Sequence, residues 1–188
     1  MLNRGFTFVE IIIAITVILV GVVGIYALVP RIVEEVAFNY DRFVAVQLSR
    51  EGIELVRALR DNNWLERYEI LDNSWKEGLT NCSNGCEMDY TALADKNPPH
   101  STFITWLGTG HYLKINANGF YNYIAGNPSK FKRKITITDL VSPPTPAAAG
   151  HVLEVKVEVF WPDYSIAPSP KNYVVMQEQL YNWRGDPE

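Results

Sequence analysis

The sequence predicts an α+β protein in which one long N-terminal helix packs on a C-terminal antiparallel β-sheet. Residues 11–29 carry no formal charge, and an apolar pattern of helical period follows Pro30. The last third of the chain alternates apolar and polar side chains with a period of two, which is typical of half-buried strands. The helix stripe and the apolar face of the sheet can cover each other, so both belong to one globular domain.

The uncharged run is long enough to cross a membrane. Its nineteen residues form a helix of about 28 Å, close to the thickness of the hydrocarbon core. A backbone in lipid must satisfy its own hydrogen bonds, which favours a helix. No Ala-x-Ala site follows the run, so an ordinary secretory signal is disfavoured, and Arg4 before it favours an N-terminus inside. We expect a single-pass protein of the cytoplasmic membrane with its bulk outside the cytoplasm.

Residues 31–63 predict an amphipathic helix of the globular domain. Pro30 removes one helical hydrogen bond and predicts a kink before this helix. Gly52 interrupts the apolar stripe, and Asp61 to Asn63 mark its expected end. The stripe consists of Val33, Ala37, Tyr40, Val44, Leu48, Leu55 and Leu59.

Residues 64–130 predict a variable, loop-rich region that contains the only two cysteines, Cys82 and Cys86. Outside the cytoplasm a C-x3-C pair is most simply a small disulfide loop, with Asn84-Gly85 as its turn. Free thiols and a zinc site are the alternatives, but the three histidines are scattered along the chain.

Residues 131–188 predict the antiparallel sheet. Three runs form its strands, at 131–140, 152–161 and 173–183. A short hairpin is expected before them, with residues 114–115 pairing with residues 119–123.

Composition and motifs argue against catalysis and nucleic-acid binding. The net charge is −4, and no basic run is longer than the triplet 132–134. The sequence has no phosphate-binding loop, metal-ligand cluster or nucleophile elbow, so we expect no enzyme activity, no catalytic residue, no cofactor and no metal. His111 is the most tempting single candidate for a site, but no partner for it is visible in the sequence.

Residues Arg4 to Glu10 resemble the processing motif of type IV prepilins: a short basic leader, a glycine, a phenylalanine, and a glutamate five residues after the glycine. The resemblance implies a type IV pilin-like fold with a leader at 1–5 and a filament-core helix at 6–30. It also implies that Gly5 is the last leader residue, that Phe6 is the new N-terminus and site of N-methylation, and that Glu10 is the carboxylate used in subunit assembly. Phe8 stands where leucine is commoner.

Cleavage would give the Glu10 carboxylate a partner. A cationic amine would form on Phe6, and helical residues four apart lie on one face. A charge held at the bilayer centre costs about 2.5–3.5 kcal/mol on insertion scales, so such residues usually mark a partner. The resemblance places this carboxylate opposite the N-terminal amine of a neighbouring subunit, where the charge pair would fix axial position. The alternative is that Glu10 pairs only with its own N-terminal amine or reaches the lipid headgroups.

Residues 47–57 and 60–64 are similar to segments of minor pilins of the pilus-modification type. We interpret Gly52 as a place where the helix approaches the sheet closely, because glycine has no Cβ to hold the two apart. The resemblance implies a minor pilin of an extracellular or periplasmic filament. Its expected partners are a prepilin peptidase/N-methyltransferase, other pilin subunits, the inner-membrane assembly machinery, and the membrane before assembly. The alternatives are a pseudopilin of a type II secretion or DNA-uptake system, and a membrane-anchored binding domain that forms no filament.

Overall fold

The computed structural model describes Gly5 and residues 7–67, 75–93, 103–140, 152–161 and 172–182. Within these residues the chain forms one long helix, α1 (Phe8–Arg67), two 3-10 helices (Leu79–Cys82 and Tyr90–Leu93) and eight strands. The strands are β1 (Cys86–Glu87), β2 (Ile104–Thr105), β3 (Lys114–Ile115), β4 (Tyr121–Asn122), β5 (Asn127–Pro128), β6 (Lys132–Asp139), β7 (Val152–Phe160) and β8 (Tyr173–Tyr181). This is the α+β, type IV pilin-like architecture that the sequence predicted.

The chain divides into two compact units, residues 1–41 and residues 42–188. In the first unit, helical residues continue through Pro30 without a break. At its other end α1 extends to Arg67, four residues beyond the Asn63 that the sequence suggested as its end.

The second unit contains two antiparallel sheets. The larger has the order β2-β1-β6-β7-β8, and the smaller has the order β4-β3-β5. Strands β6, β7 and β8 form the predicted meander, in which Val157 of β7 lies between Ile135 and Met176. The predicted hairpin is also present, as β3 paired with β4.

The core lies between α1 and the larger sheet. The buried apolar side chains of α1 are Ala45, Leu48, Ile53, Leu55, Val56, Leu59 and Trp64. Those of β6 and β7 are Ile135, Ile137, Val152, Leu153, Val155, Val157, Val159 and Phe160. The buried stripe therefore begins at Ala45. Val33 and Tyr40, which the sequence placed on the stripe, are 61% and 67% exposed.

Gly52 marks the closest approach of helix and sheet. A Cβ at this position would lie 2.9 Å from Cγ1 of Val157 and 3.2 Å from Cδ of Arg133. Carbon atoms ordinarily approach to about 3.5–4.0 Å, so only glycine fits without movement. This confirms the close approach that the sequence suggested.

Cys82 and Cys86 are joined by a disulfide, and both are buried. The bridge connects the 3-10 helix at Leu79–Cys82 to β1, and the intervening Gly85 adopts a positive φ of 101°. The zinc and free-thiol alternatives are thereby set aside in favour of the loop.

Candidate functional site: the N-terminal segment and a buried polar cluster

Helix α1 begins with a side-chain cap. The backbone N–H of Glu10 donates to the hydroxyl oxygen of Thr7 at 3.3 Å, and the N–H of Ile11 donates to the carbonyl of Thr7. Thr7 thus acts as the N-cap, with Glu10 in the first turn. The pattern T-x-x-E is the sequence signature of a capping box, a signal that sequence reasoning about Glu10 missed. The cap gives Glu10 a local role, because a carboxylate near a helix N-terminus is favourable by about 0.3–1 kcal/mol.

The carboxylate itself is exposed and has no partner among the described residues. Only one half of the capping box forms, because the Glu10 side chain makes no hydrogen bond to the Thr7 N–H. Phe6, the predicted methylation site, lies outside the described residues. Helical residues start at Phe8, so the predicted i, i+4 relation between Phe6 and Glu10 stays a prediction.

Between Ile11 and Val29 the surface of α1 carries no charged side chain, and exposed apolar residues extend to both sides of this run. Nineteen large apolar side chains are each 46–77% exposed: Phe8, Val9, Ile11, Ile12, Ile13, Ile15, Val17, Ile18, Leu19, Val20, Val22, Val23, Ile25, Tyr26, Leu28, Val29, Ile32, Val33 and Val36. Soluble monomers rarely expose contiguous apolar patches larger than a few hundred Å². Within the described residues α1 is long and apolar enough to cross a membrane, by length and composition. This surface needs either lipid or other apolar helices as its surroundings.

A second group of charged residues lies inside the globular unit, centred on Arg133 of β6. Its side chain is fully buried and donates to the carbonyls of Leu48 and Met88 at 3.0 and 2.6 Å. Glu51 lies 3.5 Å from the same guanidinium, and the hydroxyl of Tyr123 donates to the Arg133 carbonyl. This residue therefore connects α1, the segment after β1, and the turn after β4. The alternation of β6 contained the signal, because Arg133 is in phase with Ile135 and Ile137.

Two buried carboxylates accompany Arg133. Glu87 of β1 is completely buried and accepts hydrogen bonds from the backbone N–H of His111, while its other oxygen lies 2.7 Å from Nδ1 of His111. Asp89 accepts from the N–H and hydroxyl of Thr91 and from the N–H of Tyr123. His111 thus has the partner that the sequence did not reveal. The signal is weak in the sequence, since residues 87 and 111 are brought together only by the fold.

The charges of this cluster act on the buried phenol of Tyr123. Burial raises the pKa of the Tyr123 phenol above its ordinary value; the positive charge of Arg133 opposes this shift, and the negative charges of Glu87 and Asp89 add to it. Within the described residues no group of three or more His, Cys, Asp or Glu side chains could hold a metal ion. The arrangement orders the loops around β1.

Comparison with known proteins places the functional signal at the N-terminus. A family model described as the prokaryotic N-terminal methylation motif matches residues 1–26. Searches of curated proteins and of solved structures found no significant match. The match covers the predicted leader, the capped start of α1 and much of its exposed apolar surface. It points to a structural subunit rather than an enzyme, fits a membrane-anchored pilin, and implies processing by prepilin peptidase and assembly with pilin machinery. Together with the fold, it supports a type IV prepilin-like protein.

Proposed function

We propose that the chain is a structural subunit, specifically a minor pilin, of a bacterial type IV pilus or a related filament. The observation that carries the proposal is the match to the N-terminal methylation motif over residues 1–26, which include the start of a helix whose apolar side chains are exposed. The chain is inserted in the cytoplasmic membrane with its N-terminus inside, cut after Gly5, methylated at Phe6, and then moved from lipid into a bundle of similar helices. In the filament, neighbouring helices contact the apolar surface in place of lipid.

The processing step is tested by co-expression with a prepilin peptidase. The mature chain should begin at Phe6 and carry one added methyl group, as read by N-terminal sequencing and intact mass. Gly5→Leu should block the cut, and an inactive peptidase is the matched control. A Cβ at Gly5 would meet no atom within 4 Å, so loss of cutting in this variant reflects recognition rather than folding. A wild-type chain that stays uncut would remove the main support for the proposal.

We propose that the Glu10 carboxylate serves assembly by pairing with the N-terminal amine of a neighbouring subunit. The local cap and this pairing can be separated. Glu10→Gln removes the charge but keeps a side chain that capping boxes accept, whereas Thr7→Ala removes the cap and keeps the charge. We expect normal processing of both variants, a strong loss of Glu10→Gln from sheared filaments, and near-normal incorporation of Thr7→Ala. Normal incorporation of Glu10→Gln, or equal loss of both variants, would contradict the pairing.

Analysis of sheared filaments and membrane fractions also distinguishes the alternative functions. A pseudopilin would be processed in the same way but would depend on type II secretion or DNA-uptake genes for assembly. An anchored binding domain would remain in the membrane fraction and would be absent from sheared material. The proposed boundaries, with the leader at 1–5 and the filament-core helix at 6–30, are checked by the mature N-terminus.

A further inference from the structure

A cleft beside α1 is lined by three aromatic residues and one carboxylate. It has a volume of about 450 Å³ and is formed by Glu51 of α1, Tyr90 of the second 3-10 helix, and residues 119–121 before and within β4. All these residues lie in the globular unit, and none of them belongs to the exposed apolar residues 8–36, so the filament function proposed above does not require the cleft.

The aromatic walls are held in place by the surrounding structure. The rings of Tyr90 and Phe120 lie 5.9 Å apart with their planes inclined by 60°, which forms a corner. The amide of Asn116 donates to the Tyr90 hydroxyl at 3.0 Å, and the Tyr121 ring packs edge-on against Phe131. Phe120 is nevertheless 60% exposed. The cleft therefore offers ring surface to solvent without needing to reorganise, which lowers the cost of binding.

The Glu51 carboxylate is the charged group that lines the cleft. Among the described residues, the polar partner of the Glu51 carboxylate is Arg133, and their 3.5 Å separation is longer than a hydrogen bond. The guanidinium is fully buried and donates to backbone carbonyls, whereas the Glu51 side chain is 36% exposed. Arg133 offsets part of the charge from the buried side. The carboxylate keeps its hydrogen-bonding capacity, and the ring faces add their own negative potential.

Aromatic faces combined with a carboxylate favour an organic cation. A primary ammonium would lose hydrogen bonds to water on entering a largely apolar cleft with few acceptors, at a cost in free energy. A trimethylammonium group has no N–H to satisfy and presents methyl groups to the rings. We propose that this cleft binds a methylated quaternary ammonium group of the kind that choline carries.

The test measures binding of choline to the full chain in a maltoside micelle, because phosphocholine detergents would occupy the site themselves. Titration calorimetry and saturation-transfer NMR should show saturable binding. The neutral isostere of choline, 3,3-dimethylbutanol, should bind at least five-fold more weakly, because it has the shape of choline without the positive charge. Equal affinities for the two compounds, or no saturable choline binding, would overturn the proposal.

Two pairs of variants localise the site. Phe120→Ala should weaken choline binding by about 3- to 30-fold, the range expected from cation–π interactions. Phe43→Ala is its matched control, since Phe43 is 61% exposed on α1 and does not line the cleft. Glu51→Gln should weaken binding several-fold, whereas Glu54→Gln on the same helix should not. Equal effects within either pair would place binding elsewhere and refute the site.

The trimethylammonium group could belong to free choline or to a lipid headgroup. Glycerophosphocholine, which is the headgroup without acyl chains, distinguishes these sources. Tighter binding of choline assigns a free cation, because the phosphate would face the Glu51 carboxylate. Tighter binding of glycerophosphocholine assigns the headgroup. Either order of affinity supports a site for the quaternary ammonium group. If neither compound binds, the filament proposal is unaffected, because its tests measure processing and incorporation.

Discussion

Replacement of Gly52 by alanine tests the close packing of α1 on the sheet. In an unconstrained helix interior, alanine is favoured over glycine by about 1 kcal/mol. Here the added Cβ would lie 2.9 and 3.3 Å from the two methyl carbons of Val157, and 3.2 Å from the Arg133 side chain. Val157 is fully buried at the centre of β7 and its branched side chain has few alternatives, so the helix or the strand must move.

The expected change in the free energy of unfolding is the difference between the cost of overpacking and the gain in helix propensity. Overpacking a well-packed core typically costs about 1–3 kcal/mol. After subtracting the gain of about 1 kcal/mol in helix propensity, we expect Gly52→Ala to lower the free energy of unfolding by roughly 1 kcal/mol. Val157→Ala alone should cost about 2 kcal/mol through its cavity. In the Gly52→Ala background the same change relieves the clash, so the two substitutions should couple by about 1–3 kcal/mol.

The assay is urea unfolding of the full chain in a maltoside micelle, followed by tryptophan fluorescence. All five tryptophans lie beyond residue 42, so the signal reports the globular unit. The four chains of the double-mutant cycle provide their own controls. Stabilisation of Gly52→Ala by about 1 kcal/mol, together with additivity within about 0.5 kcal/mol, would refute the close approach as the reason for glycine here.

Three further predictions concern the globular unit. Replacing Cys82 and Cys86 by serine should lower the free energy of unfolding by about 2 kcal/mol, as expected for the short loop that the bridge closes; an unchanged urea midpoint would contradict this. Because burial raises the pKa of Tyr123, its contribution is complete below pH 10 and is lost above it, at about 1.4 kcal/mol per pH unit. Tyr123→Phe should remove that part of the alkaline slope in paired unfolding measurements, and identical slopes would show that the phenol titrates normally. His111→Ala should cost about 1–3 kcal/mol by leaving an oxygen of buried Glu87 unpaired, and adding Glu87→Gln should recover part of the loss; no recovery would contradict the pairing.

The regular elements could be predicted because each has a local signature. The strands at 132–139 and 152–160 alternate strictly, and the helix stripe from Leu48 to Leu59 repeats with a helical period. The predicted buried stripe begins too early in the helix. Amphipathic spacing shows which face of a helix is apolar, but not how much of that face another element covers. Val33 and Tyr40 follow the pattern, yet the sheet covers only the later part of the helix.

The polar interior could not be predicted in the same way. Glu87 and His111 are 24 positions apart in loop-rich sequence, and no periodicity connects them. Arg133 belongs to a basic triplet, which is typical of an exposed segment, whereas the phase of its strand places it inward. The cap at Thr7, in contrast, has a local signature in the sequence, the pattern T-x-x-E, and could be predicted from it.

The contrast between these carboxylates bears on where the function lies. Glu87 and Asp89 are buried, and their oxygens accept hydrogen bonds from nearby loops, so their roles are complete within the chain. Glu10 is exposed, and its carboxylate has no partner among the described residues, on a helix whose apolar surface also has none. An apolar surface of this size usually marks contact with lipid or another protein, and a carboxylate within a membrane-length helix usually marks a partner. The globular unit is therefore expected to tolerate Glu10→Gln without loss of stability, and the effect of that change should appear only when subunits meet.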